Sequence, residues 1–206
     1  MHGAEAAQTA TVRSVAHVDV TSISLFFALL AVLGGAAAVA VLAISFVASN
    51  AVVRLRHDVA DAALPLALLV AATCTVGSLY YSEVMHYTPC KLCWFQRIFM
   101  YPLVVLLGIA VARKDRSVRR DVLPLSLIGG AISIYHYQLQ RFPQQRTSMC
   151  TIDAPCTAKE VEQFGFVTIP MMALVGFALI SALMFCLHGA ARTAASATPI
   201  DEPETS

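Results

Sequence analysis

Four of the six cysteines form two close pairs, and these pairs are the residues best suited to chemistry. Cys90 and Cys93 are separated by two residues, whereas Cys150 and Cys156 are separated by five. Such pairs serve as structural disulfides, zinc ligands or redox-active dithiols. A disulfide that closes a loop of about seven residues stabilises a fold by only about 2 kcal/mol, and the wider spacing suits zinc poorly. The spacing favours redox chemistry and leaves the other two uses open.

Arg97 lies four residues beyond Cys93, so a helix would carry both side chains on one face. A cation inside a membrane helix costs about 2–3 kcal/mol or more. Together with a helix N-terminus, Arg97 would stabilise a Cys93 thiolate, the species that attacks disulfides or donates electrons. An arginine that merely extends to the membrane surface is the alternative. Cys74 and Cys186 lie in apolar segments and are interpreted as packing residues.

The segments that hold these residues are strongly hydrophobic. Of the 206 residues, 58% are hydrophobic and 13% are charged, and the mean hydropathy is +0.70. Soluble domains carry about 25% charged residues, so the composition predicts an integral membrane protein. The formal net charge of +1 gives no overall basic field for nucleic acid, and no nucleic-acid partner is expected.

Five segments are apolar and long enough to cross a membrane, which takes about 20 residues per helix. They are 23–48, 63–82, 93–112, 122–140 and 167–187. The predicted fold is therefore all-α, a bundle of five transmembrane helices. Residues 1–22 are expected to form an N-terminal tail and residues 188–206 a disordered C-terminal one. A cleaved signal peptide over 1–49 is the alternative for the first segment, but such peptides have apolar regions of only about 7–15 residues.

The basic residues predict an orientation in the membrane. The connection 113–120 carries five basic residues in eight, and Arg54 and Arg56 lie in the connection 49–61. Cytoplasmic loops are enriched in lysine and arginine, so both connections are expected in the cytoplasm. Both cysteine pairs would then face the opposite side of the membrane.

The motif at the start of the third segment resembles a known family. The residues Pro89–Arg97 (PCKLCWFQR) are followed by Tyr135-His136-Tyr137 in the next segment and then by the second cysteine pair. Over residues 63–187 this order is similar to that of the disulfide bond formation protein B (DsbB) family. Members of that family are membrane oxidases that use quinone as the electron acceptor. The order of the two pairs argues against the vitamin K epoxide reductase family, in which the loop pair comes before the Cys-x-x-Cys motif.

The resemblance implies a four-helix core in the bacterial cytoplasmic (inner) membrane and an activity as a thiol:quinone oxidoreductase. Its substrate would be an extracytoplasmic thioredoxin-like thiol oxidase (DsbA-like), and its acceptor would be ubiquinone or menaquinone. The partner's thiolate would attack Cys150, with Cys156 as the mate of that sulfur. Cys90 would exchange with this second pair, and Cys93 would stand beside the quinone.

The resemblance also implies two residues that bind the quinone, and no metal. Arg97 would stabilise negative charge on Cys93 and on the reduced quinone. His136 would lie near the quinone and assist proton uptake, although it could instead belong to an aromatic belt at the membrane surface. Two features depart from the usual family pattern: the segment 23–48 is additional, and the close spacing of the second pair is more like Gram-positive members. A non-catalytic membrane protein with structural disulfides or a zinc site is the alternative.

Overall fold

The computed structural model describes residues 2–46, 50–145, 150 and 155–196. These residues form five α-helices and one short hairpin. The helices are α1 (His2–Phe46), α2 (Asn50–Leu79), α3 (Lys91–Arg113), α4 (Arg119–Arg141) and α5 (Ile169–Ser196), and the strands are β1 (Glu162–Gln163) and β2 (Val167–Thr168). A π-helical turn, Tyr80–Val84, continues α2, and a 3-10 turn, Arg116–Val118, leads into α4.

Four of the described helices contain a segment long and apolar enough to cross a membrane. These segments are Thr21–Ser45, His57–Val84, Lys91–Arg113 and Ile169–His188. Helix α4 has the same 23-residue length as α3, but its last turns are more polar because they carry His136, Gln138 and Gln140. The chain is an all-α membrane protein, and a helix covers most of each of the five predicted segments. The exceptions are residues 47–48, which lie outside the described residues, and Val167–Thr168, which form β2.

The terminal helices extend beyond the predicted spans. Helix α1 begins at His2 and so includes most of the stretch 1–22 that was expected to be a tail. This stretch is rich in alanine and has no proline, a composition that favours helix. Helix α5 continues to Ser196, and residues 197–206 lie outside the described residues.

The helices form an up-and-down bundle whose centre is α5, which packs against α1, α2 and α4. Helix α3 lies between α2 and α4. The core contains Leu103 and Leu107 of α3, Val122 of α4 and Phe177 of α5, all fully or almost fully buried. Gly129 of α4 permits the close approach of α5, because the Phe177 ring fills the space that a side chain at 129 would need.

The basic connection and the cysteine pairs lie at opposite ends of the bundle. Helix α3 begins next to Cys90 and ends at Arg113, where the connection 113–120 starts. At that second end, Arg116 forms an ion pair of 2.6 Å with Asp61 of α2. The first end also receives the C-terminus of α4 and the hairpin that precedes α5.

Candidate redox site

Cys90 and Cys93 lie together in the first turn of α3. Cys90 is the N-cap residue, and its Sγ accepts a hydrogen bond of 3.4 Å from the Cys93 amide. The two Sγ atoms are 3.1 Å apart. The helix N-terminus was expected to stabilise a thiolate on Cys93, but the amide group of this turn points at Cys90. Partial positive charge at a helix N-terminus favours an anion, so the geometry places that stabilisation on the Cys90 sulfur.

His136 of α4 is the second group beside Cys90. Its Nε2 lies 3.6 Å from Cys90 Sγ, and the side chain is only 2% exposed. The pKa of the Cys90 thiol is lowered, first by its hydrogen bond with Cys93 and then by His136, and these effects exceed the opposing effect of burial. His136 Nδ1 is buried and has no hydrogen-bond partner among the described residues. His136 therefore faces Cys90 and has a spare ring nitrogen.

The second cysteine pair is a disulfide that packs against the first pair. Cys150 and Cys156 are bonded to each other, and Cys156 is buried whereas Cys150 is partly exposed. Both belong to the same apolar cluster as the first pair, which also includes Leu92 and Leu139. Gln140 Nε2 donates a hydrogen bond of 2.8 Å to the Ala158 carbonyl oxygen and so joins this loop to α4. The two pairs are therefore adjacent at one end of the bundle.

Arg97 is held by the end of α2. Its Nε donates to Ser78 Oγ at 2.9 Å and its Nη2 donates to the Ser78 carbonyl oxygen at 3.0 Å. The guanidinium also lies 5.2 Å from the centre of the Trp94 ring. Sequence reasoning missed Ser78, since a serine inside a mostly apolar segment was the only signal for it.

Arg97 and Cys93 line the same apolar cavity, as their spacing of four residues predicts. This cavity has a volume of about 460 Å³ and lies among α1, α2, α3 and α5. Its remaining walls are largely aliphatic and aromatic and include Leu30, Met100 and Phe177. The cavity therefore combines a sulfur atom and a cation with an apolar volume of the size that small molecules occupy.

A second, more polar cavity of about 260 Å³ lies beside the first. His136, which was expected near a quinone, lines this second cavity and is not part of the described lining of the larger one. Gln140 is also in its lining, and both Gln140 Oε1 and His136 Nδ1 are buried without hydrogen-bond partners among the described residues. Water in this cavity would satisfy such atoms. Cys93 lines both cavities.

The first pair and His136 also offer three atoms that could bind a metal ion. The ligand atoms of Cys90, Cys93 and His136 lie within 4.8 Å of one another. Structural zinc sites almost always have four protein ligands, and no fourth residue joins this group in the part of the chain that the structure describes. Three ligands leave a structural zinc ion one ligand short, whereas a thiol pair beside a histidine needs no further residue for disulfide exchange.

Comparison with known proteins identifies the family. The family model described as "Disulfide bond formation protein DsbB" matches residues 60–187. The chain belongs to the DsbB family. The chain is 46% identical over 122 residues to "Disulfide bond formation protein C" of Bacillus subtilis, which covers 59% of this chain and 88% of that protein. It is 49% identical over 112 residues to "Probable disulfide formation protein C" of Bacillus cereus, an alignment that covers 54% of this chain and 81% of that protein. No solved structure matches.

These matches confirm the resemblance to DsbB over the membrane core. The chain is a disulfide-forming membrane protein of the DsbB family, and both cysteine pairs lie within the matched residues. The match begins at residue 60, inside α2, so the whole of α1 and the part of α2 before residue 60 lie outside it. Helix α1 is therefore an addition to the DsbB domain.

Proposed function

We propose that this DsbB-family protein is a thiol:quinone oxidoreductase. It re-oxidises an extracytoplasmic thioredoxin-like, DsbA-like thiol oxidase and passes the electrons through its two cysteine pairs to ubiquinone or menaquinone. One observation carries the proposal: Cys93 and Arg97 line a large apolar cavity, while Cys90 packs in one cluster with the Cys150–Cys156 disulfide. A chain of sulfur atoms thus leads from the end of the bundle to an apolar binding volume.

The cavity fits a quinone in size and in chemistry. Its volume of about 460 Å³ lies within the roughly 300–1,000 Å³ usual for small-molecule sites. Its apolar walls suit an isoprenoid side chain, and the Arg97 guanidinium suits the negative charge of a reduced ring. A bound quinone would supply a two-electron acceptor next to Cys93.

The first step is an exchange with the partner protein. A partner thiolate attacks Cys150, which is the more exposed sulfur of the second disulfide, and Cys156 leaves as a thiolate. The partner's second thiol then resolves the mixed disulfide. Two thiols of the partner become a disulfide, and Cys150 and Cys156 become thiols, so atoms and electrons balance.

The second step moves the electrons inward. A thiolate of the reduced second pair attacks Cys90 of the Cys90–Cys93 disulfide, and Cys93 leaves facing the apolar cavity. The other sulfur of the second pair then displaces Cys90 from this mixed disulfide, so the Cys150–Cys156 disulfide forms again and the first pair holds both electrons. All four cysteines belong to one apolar cluster, which brings the two pairs together at this end of the bundle and supports a direct exchange between them.

In the third step the first pair returns to a disulfide. A bound quinone would accept the two electrons at Cys93, and Cys90 Sγ, which lies 3.1 Å from Cys93 Sγ, closes onto Cys93 to form the disulfide. His136 Nε2 accepts the Cys90 proton across 3.6 Å. The two protons released by the thiols of the first pair balance the two that reduction of a quinone to a quinol would consume. Arg97, fixed by Ser78, stabilises the negative charge that develops at this end of the cavity.

The proposed location is the bacterial cytoplasmic membrane, with both cysteine pairs facing away from the cytoplasm. The support is the position of the basic connection 113–120 at the other end of the bundle. A membrane-impermeant thiol reagent, applied to intact cells after reduction, should label Cys150 and Cys156. Labelling of these residues only after lysis would reverse the proposed orientation.

Quinone reduction by the purified protein in liposomes tests the activity. A reduced thioredoxin-like protein is the electron donor, and the quinone absorbance reports turnover. Cys93→Ser should abolish turnover, whereas Cys186→Ala, which changes a cysteine outside both pairs, should leave it largely intact. Normal turnover in Cys93→Ser would contradict the proposed path.

A zinc-binding protein without redox activity is the second candidate, favoured by the short distances within the group Cys90, Cys93 and His136. Metal analysis of the same purified sample separates the two. One zinc ion per chain, lost on modification of the thiols, together with an absence of turnover, would support this candidate over the oxidoreductase.

A further inference from the structure

Helix α1 lies outside the DsbB match and yet forms one wall of the larger cavity. The matched residues begin at 60, whereas Phe27, Leu30 and Gly34 of α1 line the cavity together with residues of α2, α3 and α5. The site proposed for the quinone is thus partly built from a segment that the family domain does not include.

Small residues let α1 pack closely enough to form this wall. A Cβ atom added to Gly77 of α2 would lie 3.0 Å from the ring of Phe27, and one added to Gly34 would lie 3.2 Å from a methyl group of Val175 in α5. The Phe27 ring centre is also 5.9 Å from that of Tyr81. Helix α1 is therefore seated against both neighbours by close contacts.

Phe27 lies at the reactive end of the cavity. It packs on Gly77, the neighbour of Ser78, and Ser78 holds the guanidinium of Arg97. A larger or smaller side chain at position 27 would therefore change the room available to a ring that approaches Cys93.

The cavity opens sideways between α1 and α2. Leu33 of α1 and Leu69 of α2 both line it, and yet they are 66% and 63% exposed. Helix α1 packs more extensively on α5 than on α2, which leaves this side less closed. In a membrane the opening faces the acyl chains, where a long apolar tail could pass.

We infer that α1 is a specificity-determining wall of the quinone site, in which Phe27 limits the size of the ring and Leu30 borders the path of the isoprenoid tail. The inference rests on the proposed function. It assigns the additional helix to the recognition of the acceptor and gives it no part in the exchange with the partner protein.

Two matched pairs of variants in the full-length protein test the inference. Leu30→Trp places a large ring in the cavity, and Leu29→Trp places the same ring at the adjacent position, which is exposed and outside the cavity lining. Binding of a short-chain ubiquinone is measured by calorimetry. Leu30→Trp should weaken binding by about tenfold or more, and Leu29→Trp should bind like the unmodified chain.

The second pair of variants tests the ring end of the cavity. Phe27→Ala enlarges it, whereas Phe26→Ala removes an exposed ring outside the lining. Phe27→Ala should raise the affinity for a naphthoquinone relative to a benzoquinone, and Phe26→Ala should leave this ratio unchanged. Single-turnover oxidation of the partner, measured without quinone, should be the same in all four variants and shows that each has folded.

The outcomes separate the inference from the proposed function. An unmodified chain that neither binds nor reduces quinone would overturn both. If the unmodified chain binds quinone but each cavity variant behaves like its control, the inference alone is overturned. Weaker binding in Leu30→Trp and a changed ring preference in Phe27→Ala, with unchanged oxidation of the partner, would support it.

Discussion

Replacing His136 with alanine removes the imidazole nitrogen that lies 3.6 Å from Cys90 Sγ. A hydrogen bond to a charged group contributes about 1.5–3 kcal/mol, and one pH unit of pKa corresponds to about 1.4 kcal/mol. Since His136 helps to lower the pKa of Cys90, its loss should raise that pKa by about one to two pH units. The hydrogen bond from Cys93 remains, so the pKa should stay below that of a variant lacking both groups.

The direction of the effect on reactivity follows from the fraction of Cys90 that is present as thiolate. At a pH below both pKa values, the thiolate fraction falls about tenfold for each unit by which the pKa rises. A thiolate of higher pKa is more nucleophilic, with a Brønsted coefficient of about 0.4–0.5, which offsets nearly half of the loss. His136→Ala should therefore slow alkylation of reduced Cys90 by about three- to tenfold at acidic pH and displace the pH profile to higher pH.

The assay is alkylation of the reduced protein over a range of pH, with peptide mapping to separate Cys90 from the other cysteines. His136→Gln offers a nitrogen for the hydrogen bond but cannot accept a proton, so it should restore part of the pH profile without restoring turnover. His57→Ala is the control, because His57 lies near the N-terminal end of α2, away from the end of α2 that contacts Arg97. A pH profile of Cys90 that is identical in His136→Ala and the unmodified chain would refute the role of His136.

Two further substitutions test the contacts of the site and of the core. Arg97→Lys keeps the charge but cannot make both hydrogen bonds to Ser78. The KM for quinone should therefore rise by about tenfold, while oxidation of the partner protein is unchanged; an unchanged KM would contradict the role of these hydrogen bonds. Gly129→Ala should destabilise the bundle by about 1–3 kcal/mol in thermal unfolding, because its methyl group would meet the Phe177 ring. Gly130→Ala should cost less, because its methyl group would lie 3.7 Å from Phe177 Cβ, an ordinary van der Waals contact; equal unfolding temperatures of the two variants would contradict this packing.

The parts of the site that depend on local spacing could be predicted from the sequence. Two residues between Cys90 and Cys93 suffice to bring their sulfur atoms together at a helix start, and a step of four brings Arg97 to the same cavity. The helical segments follow from apolar length alone. What the spacing could not tell was which sulfur the helix N-terminus would face, because that depends on the backbone of the cap residue.

The orientation of α4 had a signal in the sequence that was not used. Ser133, His136 and Gln140 follow one another at steps of three and four, and all three are buried. In a membrane helix, polar residues at this spacing form a stripe that faces the interior. Ser133 accepts a hydrogen bond of 3.0 Å from Gln96 of α3. This stripe indicates that His136 faces α3, although it does not say which cysteine His136 meets.

Contacts between distant segments had no comparable signal. Ser78 and Arg97 are separated by 19 residues and meet only because α2 and α3 pack side by side. The placement of α1 depends on the fit of Gly34 against Val175, which is a property of two surfaces in three dimensions. Hydropathy predicts that such a helix exists but does not predict which neighbours it selects.

The position of Cys93 between the two cavities has a consequence for the fidelity of electron flow. On the proposed function, a water-soluble thiol that enters the polar cavity meets the sulfur atoms before it can reach the acceptor in the apolar one. Direct reduction of the membrane quinone pool by small thiols is then blocked by the arrangement of the protein. The Cys90–Cys93 pair therefore separates the water-soluble thiols from the membrane quinones, and electrons pass between them only through disulfide exchange.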